Sequence, residues 1–475
     1  MYKIANNPNV WPVEPPQLGR RFSFAGDLTR GSVLSPVQRI VAGTVPGRDK
    51  IFSLRYFGQT YVFTGDPELS AELADETVFE KAHAPSLYAL REFGGDGLFT
   101  AYNDEQNWDL AHRLLLPAFT RQAMISYHST FTDVADEVVR RWRDAQTPVD
   151  VSQEMTRATF ESIARAGFGR SYGLLGSVGE VQMTPLVRAS EIVLRTGLVK
   201  GALHCVPGSR AIEYSGDAVT RRHRMYLESH LRDVVAEAAK SPRSQSRKDR
   251  KNLLELMLTE SAGGDMLSHE NIVYQLLTFL IAGHETTSGM LSFALHYLTR
   301  DPQLMEQARG EVDTAYSHLD GSAIGFNDVA RLRFLRRVLD ESLRLWPTVP
   351  GIARQPKHDA WLGGRYHMRP DNWAIIFFHH LHRHPDVWER PDEFDPSRFE
   401  STAVRKRPAH VYKPFGTGAR ACIGRQFAIH EALVILSRLI FEFDFTTSPT
   451  YRLKVDERLT LMPKSFHLAA SRRSR

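Results

Sequence analysis

The chain is poor in cysteine. Its 475 residues contain two, Cys205 and Cys422, so at most one disulfide is available and the framework of a small secreted protein is excluded. An apolar leader is also lacking: Asn6-Asn7-Pro8 and Pro15-Pro16 stand in place of a signal-peptide core or an anchor helix, which predicts a soluble, cytoplasmic protein with no membrane partner. No Pro/Gly/Ser linker, internal repeat or low-complexity tract divides the chain, and the most linker-like stretch, 240–251, lies between two helical patterns and reads as an exposed loop. One domain over residues 1–475 is therefore expected. An excess of one charge is missing as well. Sixty Lys and Arg against 55 Asp and Glu leave a net +5, with the basic residues spread along the chain and no nucleic-acid motif beside them. Nucleic acid is excluded as a partner, and a protein with an acidic face is the better use of that charge. With 42% hydrophobic and 24% charged residues, the composition is that of a soluble globule with a sizeable core.

Against this background the surroundings of Cys422 stand out. Phe415-Gly416-Thr417-Gly418-Ala419-Arg420-Ala421-Cys422-Ile423-Gly424 places the cysteine in a glycine-flanked loop ahead of an apolar helical segment. At a helix N-terminus, unpaired N–H groups and the positive end of the dipole favour an anionic sulfur, the form that ligates iron. Gly416 and Gly418 permit turns with positive φ that aim amides at the sulfur, and Gly424 has no Cβ to obstruct a flat ligand. A buried free cysteine packed as a small hydrophobe is the plainer alternative. Gly416-x-Gly418-x-x-Ala421 also fits a dinucleotide fingerprint, but Pro414 breaks the strand that must precede it, and too little chain follows for a nucleotide-binding half-fold.

One long apolar helix is predicted over 272–298, capped by Ser268 and closed before Asp301-Pro302. Its length would permit a membrane span, but Ala282-Gly283-His284-Glu285-Thr286-Thr287 places a charge and two hydroxyls at its centre, as in the central helix of a soluble core. Thr286 is expected to bond back to the Ala282 carbonyl and open a local groove, with Gly283 letting a ligand approach the backbone. Glu285 beside Thr286 then forms an acid and alcohol pair suited to moving protons. The alternative is a capped kink with a buried ion pair.

Other constellations take their weight from these two. A helix over 335–346 puts Glu341 and Arg344 on one face, and Arg398 in Pro396-Ser397-Arg398-Phe399 could join them in a buried charged triad that braces the cysteine segment. A helix over 107–116 carries Trp108 and His112 at i, i+4, two N–H donors that suit carboxylates. His379-His380-Leu381-His382-Arg383-His384 lacks the companions of a metal site and reads as structural. Gly94-Gly95-Asp96-Gly97 lacks the ending of a phosphate cradle and reads as a flexible turn.

Taken together, these residues resemble the cytochrome P-450 superfamily of haem-thiolate monooxygenases, from about residue 51 to the C-terminus. The resemblance implies a mainly α, triangular fold with a small β region, in which haem (heme b) lies between the long helix and the helix after Cys422. It implies that Cys422 is the iron ligand, that Arg420, Trp108, His112 and Lys81 face the haem propionates, and that Phe415, Gly416, Gly424, Ala282 and Gly283 border the haem. Glu285 and Thr286 would serve proton delivery to dioxygen, the cosubstrate. A carrier or sensor has no need of that relay.

Within the superfamily the wording is similar to the haem domain of the bacterial self-sufficient fatty-acid hydroxylases, in Phe279-Leu280-Ile281-Ala282-Gly283-His284-Glu285-Thr286-Thr287-Ser288-Gly289, Gly95-Asp96-Gly97-Leu98-Phe99-Thr100 and Leu343-Arg344-Leu345-Trp346-Pro347-Thr348. That likeness puts Phe99, Ile281, Val349 and Gly351 in the substrate pocket. With no fused reductase in the 475 residues, electrons are expected from a separate ferredoxin or flavodoxin and its reductase, docked near Arg405, Lys406, Arg407 and Arg425. At the pocket mouth those hydroxylases hold a carboxylate with arginine and tyrosine, where this chain has Gln59 and Phe63. An apolar or amphipathic small molecule is therefore the expected substrate, with a fatty acid held by another anchor as the alternative. The stretch 174–224 is expected to form the lid.

Overall fold

The computed structural model describes residues 11, 13–17, 36–56, 59–176, 185–203, 209–240, 252–319 and 323–474. Asn6-Asn7-Pro8, Cys205, residues 241–251 and parts of the 174–224 stretch lie outside the described residues, as does the side chain of Gln59. The longer helices are α1 (Pro85–Gly94), α2 (Gln106–Leu115), α3 (Arg121–Arg143), α4 (Val151–Phe168), α5 (Pro185–Leu203), α6 (Ser209–Lys240), α7 (His269–Arg300), α8 (Pro302–Tyr316), α9 (Arg333–Leu345) and α10 (Arg425–Glu442).

The axis of the molecule is α7, and its ends follow from local chemistry. Ser268 Oγ accepts the Asn271 N–H at 3.1 Å, and at the other end Asp301 leaves the helix and caps α8, its carboxylate accepting from Gln303 and Leu304 at 2.9 and 3.1 Å. The helix is longer than the 272–298 read from the sequence because both caps sit outside the apolar run. Most of it is buried, chiefly against α4. The two helices approach closely because their facing residues are small or hydroxylated. Thr159 Oγ1 donates to the His284 carbonyl at 2.9 Å, Thr156 Oγ1 meets Ser288 Oγ at 3.3 Å, and a Cβ on Gly283 would come within 3.1 Å of Ile163. No helix among the described residues is long and apolar enough to cross a membrane.

The β region is small and peripheral. Strands β1 (Ile51–Tyr56), β2 (Gln59–Thr64), β3 (Phe79–Lys81), β5 (Gly351–Pro356) and β8 (Ala374–Phe377) form one sheet in the order β1-β2-β8-β5-β3. In it β1 and β2 are an antiparallel pair with Ile51 opposite Thr64, and β2 runs parallel to β8 with Phe63 opposite Ile375. A second sheet orders β4 (Val149–Asp150), β12 (His467–Arg472) and β9 (Phe443–Thr447), while β6 (Ala360–Leu362) pairs with β7 (Tyr366–Met368) and β10 (Val455–Glu457) with β11 (Leu461–Pro463). The β10–β11 hairpin lies on α7. A Cβ on Gly289 would fall 2.6 Å from the Leu461 carbonyl oxygen, so only glycine admits the strand there.

Candidate active site

Cys422 stands two residues before Gly424, the N-cap of α10, in a loop closed by its own backbone: Gly416 N–H donates to Lys413 O at 2.9 Å and Cys422 N–H to Phe415 O at 2.8 Å. Gly416 and Gly418 adopt φ of +73° and +70°, as their positions in the loop require. Gly418 has a second role that sequence reasoning missed. The Glu76 carboxylate occupies the space of its missing Cβ and accepts the Ala419 N–H at 2.9 and 3.0 Å, which pins the loop from outside. The thiol retains accessible surface although protein surrounds it, so it lies on the floor of an interior cavity. Burial pushes the Cys422 thiol up, opposed by the Gly424 N–H and by the Arg425 charge. Around Gly424 there is room: a Cβ would meet only Cys422 Sγ at 3.9 Å and Phe119 at 4.0 Å.

Phe119 links this floor to the opposite wall, its ring 5.9 Å from that of Phe279 on α7. There Ala282 is exposed and Thr286 partly so, in the middle of a helix otherwise packed in the core. Thr286 Oγ1 donates to Ala282 O at 2.8 Å, the expected back-bond. Glu285 is buried, and its carboxylate accepts from Thr460 Oγ1 at 3.3 Å. Thr460 was not legible in the sequence, because nothing local marks the hairpin turn that carries it to α7. His284 is wholly buried, bonded through Nδ1 to Leu280 O, and burial lowers its pKa to about 4, so it is neutral. On the same helix the missing side chain of Gly283 makes room for Ile163, and Ile281 is buried in the main core.

One rim of the cavity is cationic. Arg420 donates to Leu98 O and Tyr102 O at 3.4 and 2.8 Å and lies 4.0 Å from the Trp108 ring, which in turn stacks on His112 with centroids 5.0 Å apart. Lys81 Nζ donates to Phe99 O and to Ala101 O. Burial, then the charges of Arg420 and Arg91, lower the Lys81 pKa to about 7; burial lowers that of Arg420 to about 10 and also lowers that of His112. The carboxylate of Glu105 is engaged by Arg91. Lys81 and Arg420 thus donate to neutral carbonyls, and their charges suit an anion brought into the cavity. Phe99, 48% exposed, and Val349, 37% exposed, add apolar surface. Gly351 does not, because a Cβ there would strike Ile376 O at 2.5 Å, so strand pairing accounts for it.

Other expected residues fall as follows. Glu341 and Arg344 pair at 2.7 Å with Arg398 3.5 Å from the same carboxylate, and Arg398 sits in the short 3₁₀ turn Pro396–Phe399. Phe63 is buried between Phe52 and Phe377, at 5.4 and 5.9 Å, and offers no surface to a substrate headgroup. The turn at Gly94–Gly97 is tied down rather than flexible: Asp96 accepts from Asn271 and Asn107 at 2.8 and 2.6 Å, and Gly95 abuts the Tyr274 ring. The His379–His384 run is buried, and among the described residues no group of three His, Cys, Asp or Glu could hold a metal ion. Arg407 is a packing residue, 4.2 Å from the Trp388 ring and 4.7 Å from that of Phe399, whereas Arg405, Lys406 and Arg425 are exposed.

Known proteins share this arrangement. The Cytochrome P450 family profile matches residues 45–470. A bifunctional cytochrome P450/NADPH–P450 reductase of Bacillus cereus is 35% identical over 431 residues, covering 88% of this chain and 38% of that protein. The self-sufficient cytochrome P450 monooxygenase CYP505E3 of Phanerodontia chrysosporium is 34% identical, covering 89% and 39%. The chain thus spans about two fifths of the length of these relatives. The crystal structure of a cytochrome P450, CYP102L1, superposes with a TM-score of 0.82 at 33% identity, covering 98% of this chain and 100% of that one. A cysteine loop under a polar-centred helix, matched over nearly the whole length, places the answer beyond the fold alone: the chain belongs to the cytochrome P450 family.

Proposed function

We propose that this chain is a haem-thiolate monooxygenase unit, acting as one haem-carrying domain, that inserts one atom of dioxygen into a C–H or C=C bond of an apolar or amphipathic small molecule. The observation that carries this reading is the cavity itself: an accessible thiol on its floor, accessible Ala282 and Thr286 in its wall, and two cations at its rim that donate to backbone carbonyls. A flat dianion with a thiolate-binding metal fits that donor set. Family members carry such a group, and when bound it supplies an iron made electron-rich by the thiolate, which favours O–O cleavage.

Cys422 would hold the iron, with the Gly424 N–H and Arg425 favouring its thiolate form. Arg420 and Lys81, with Trp108 and His112, would hold the propionates, while Phe415, Gly416, Gly424 and Ala282 would border the group. Thr286 keeps a hydroxyl at the cavity wall, and Glu285 behind it is the nearby acid from which a proton is renewed. Phe99 and Val349 exclude water from the substrate side. The triad of Glu341, Arg344 and Arg398 braces the segment that leads to the cysteine loop.

The reaction needs electrons from outside the haem domain. Relatives named as bifunctional carry their own reductase; for this chain we propose a ferredoxin or flavodoxin with an acidic face, meeting the exposed Arg405, Lys406 and Arg425. No charged group is contributed by Phe63, so selection by a carboxylate at that place is not expected. Titration with dodecanoic acid and with its methyl ester, read as the low-spin to high-spin Soret shift, tests this. Equal or tighter binding of the ester supports the proposal, whereas a preference of roughly tenfold or more for the acid, the scale of a charge-assisted hydrogen bond, establishes a fatty-acid hydroxylase with another anchor.

A further inference from the structure

We propose that Arg458 is a positioning residue that couples helix α5, in the lid, to the acid Glu285 on α7; this rests on the proton-relay reading of Glu285 and Thr286. Arg458 sits in the turn between β10 and β11, where its N–H donates to Thr460 O at 2.9 Å and so holds the two residues back to back. One terminal nitrogen meets Glu191 of α5 at 2.8 Å and its Nε meets Asp456 at 3.0 Å. Two residues on, Thr460 donates to Glu285 at 3.3 Å. The turn cannot retreat from α7, because Leu461 N–H donates to Thr348 O at 2.9 Å and Leu461 O rests on Gly289.

A single guanidinium is therefore held by two carboxylates, one of them on α5, while a third, Glu285, lies behind Thr460 and acts on it through its charge. Burial alone would lower its pKa, but the charge of Glu191, the bond to Asp456 and the charge of Glu285 outweigh that and raise it. Glu191 and Arg458 are each less than a third exposed, so solvent screens them only partly. Because one arginine is shared, its partners compete. Removing the Glu191 charge, or moving α5 away, leaves Arg458 to Asp456 and Glu285 and tightens its hold on Glu285 as a carboxylate. A closed lid relaxes that hold, so proton supply is linked to substrate being enclosed.

The test uses the haem-loaded full chain with 1-dodecanol as probe, turning over with electrons from an added ferredoxin, its reductase and NADPH in H₂O and in D₂O, with oxygen consumption followed. Glu191→Gln is expected to slow oxygen consumption about threefold or more and to raise the solvent isotope effect, the scale of half a pKa unit or greater at the acid. Arg458→Gln should not slow it, the double variant should follow Arg458→Gln, and Arg458→Lys should lie near the parent. Hydrogen exchange supplies a readout independent of oxygen chemistry: Glu191→Gln should speed exchange about threefold or more across 185–203. A purely structural Arg458 would lower the unfolding temperature in the variants yet leave the rate and isotope effect within error of the parent, and that result overturns the proposal. Thr286→Ala separates the two levels. If it alters the isotope effect while Glu191→Gln does not, only the coupling falls; if neither does, the relay reading falls and the coupling with it.

Discussion

Arg344 gives Nε and one terminal nitrogen to the two oxygens of Glu341, each at 2.7 Å, and neither side chain has accessible surface. The other donors of Arg344 serve the carbonyls of His382, Pro391 and Glu393 at 3.0, 2.6 and 2.9 Å, so one guanidinium gathers three stretches of chain. Burial raises the Glu341 pKa, and the bond to Arg344 opposes this. Removing one partner leaves a buried charge uncompensated. Arg344→Leu is expected to cost about 3–5 kcal/mol, measured by urea unfolding, and to yield protein that no longer retains haem. A loss below about 1 kcal/mol would reduce the pair to the rank of a surface bridge.

Lys81 makes haem affinity depend on pH. Burial, then the charges of Arg420 and Arg91, lower its pKa from 10.5 to about 7 against the opposing charge of Glu105, while a bound carboxylate favours the charged form. Haem binding then takes up a proton between about pH 7 and 10.5, so affinity falls as pH rises through that window. For folding the sign is opposite: with haem absent, the folded protein binds fewer protons than the unfolded one there, and stability rises with pH. Haem transfer to apomyoglobin should accelerate with pH in the parent and lose most of that slope in Lys81→Met. Parallel profiles would remove Lys81 from the rim's chemistry.

The ferrous carbonyl complex should show the red-shifted Soret band of thiolate ligation, and Cys422→Ser should abolish it while leaving the far-ultraviolet spectrum unchanged. Persistence of that band in the serine variant would place the ligand elsewhere.

Arg405 and Arg407 are two positions apart but answer to different physics. Reversing Arg405 and Lys406 to glutamate should slow reduction by an acidic ferredoxin in a salt-dependent way, with no change toward dithionite. Arg407→Glu, which loses contacts with Trp388, Phe399 and the Arg398 carbonyl, should instead lower stability by roughly 1–3 kcal/mol. Equal effects of the two changes on partner reduction would contradict this division.

What could be read from sequence followed the range of the interaction. The Thr286 bond to Ala282 spans one helical turn, so residue type and spacing suffice to foresee it. The positive φ of Gly416 and Gly418 is equally local. The packing of Gly283 is not legible because its neighbour Ile163 belongs to another helix, and a glycine that admits a ligand looks in sequence like one that admits a side chain. The same holds for Gly351, with Ile376 as the unseen neighbour. Likeness to a family points Phe63 to a pocket mouth, whereas the register of β2 against β1 sets it beside Phe52 in the core. Glu76 and Thr460, which hold the cysteine loop and the acid, lie far from both in the chain and in segments without a signature.

The closeness of α7 to its neighbours has a mechanical consequence. Ile163 fills the space beside Gly283 on one flank and the Leu461 carbonyl fills that beside Gly289 on another, so the helix can neither roll nor slide without displacing backbone. One wall of the cavity is therefore stiff, and enlarging the range of guests by substitution should fail along α7.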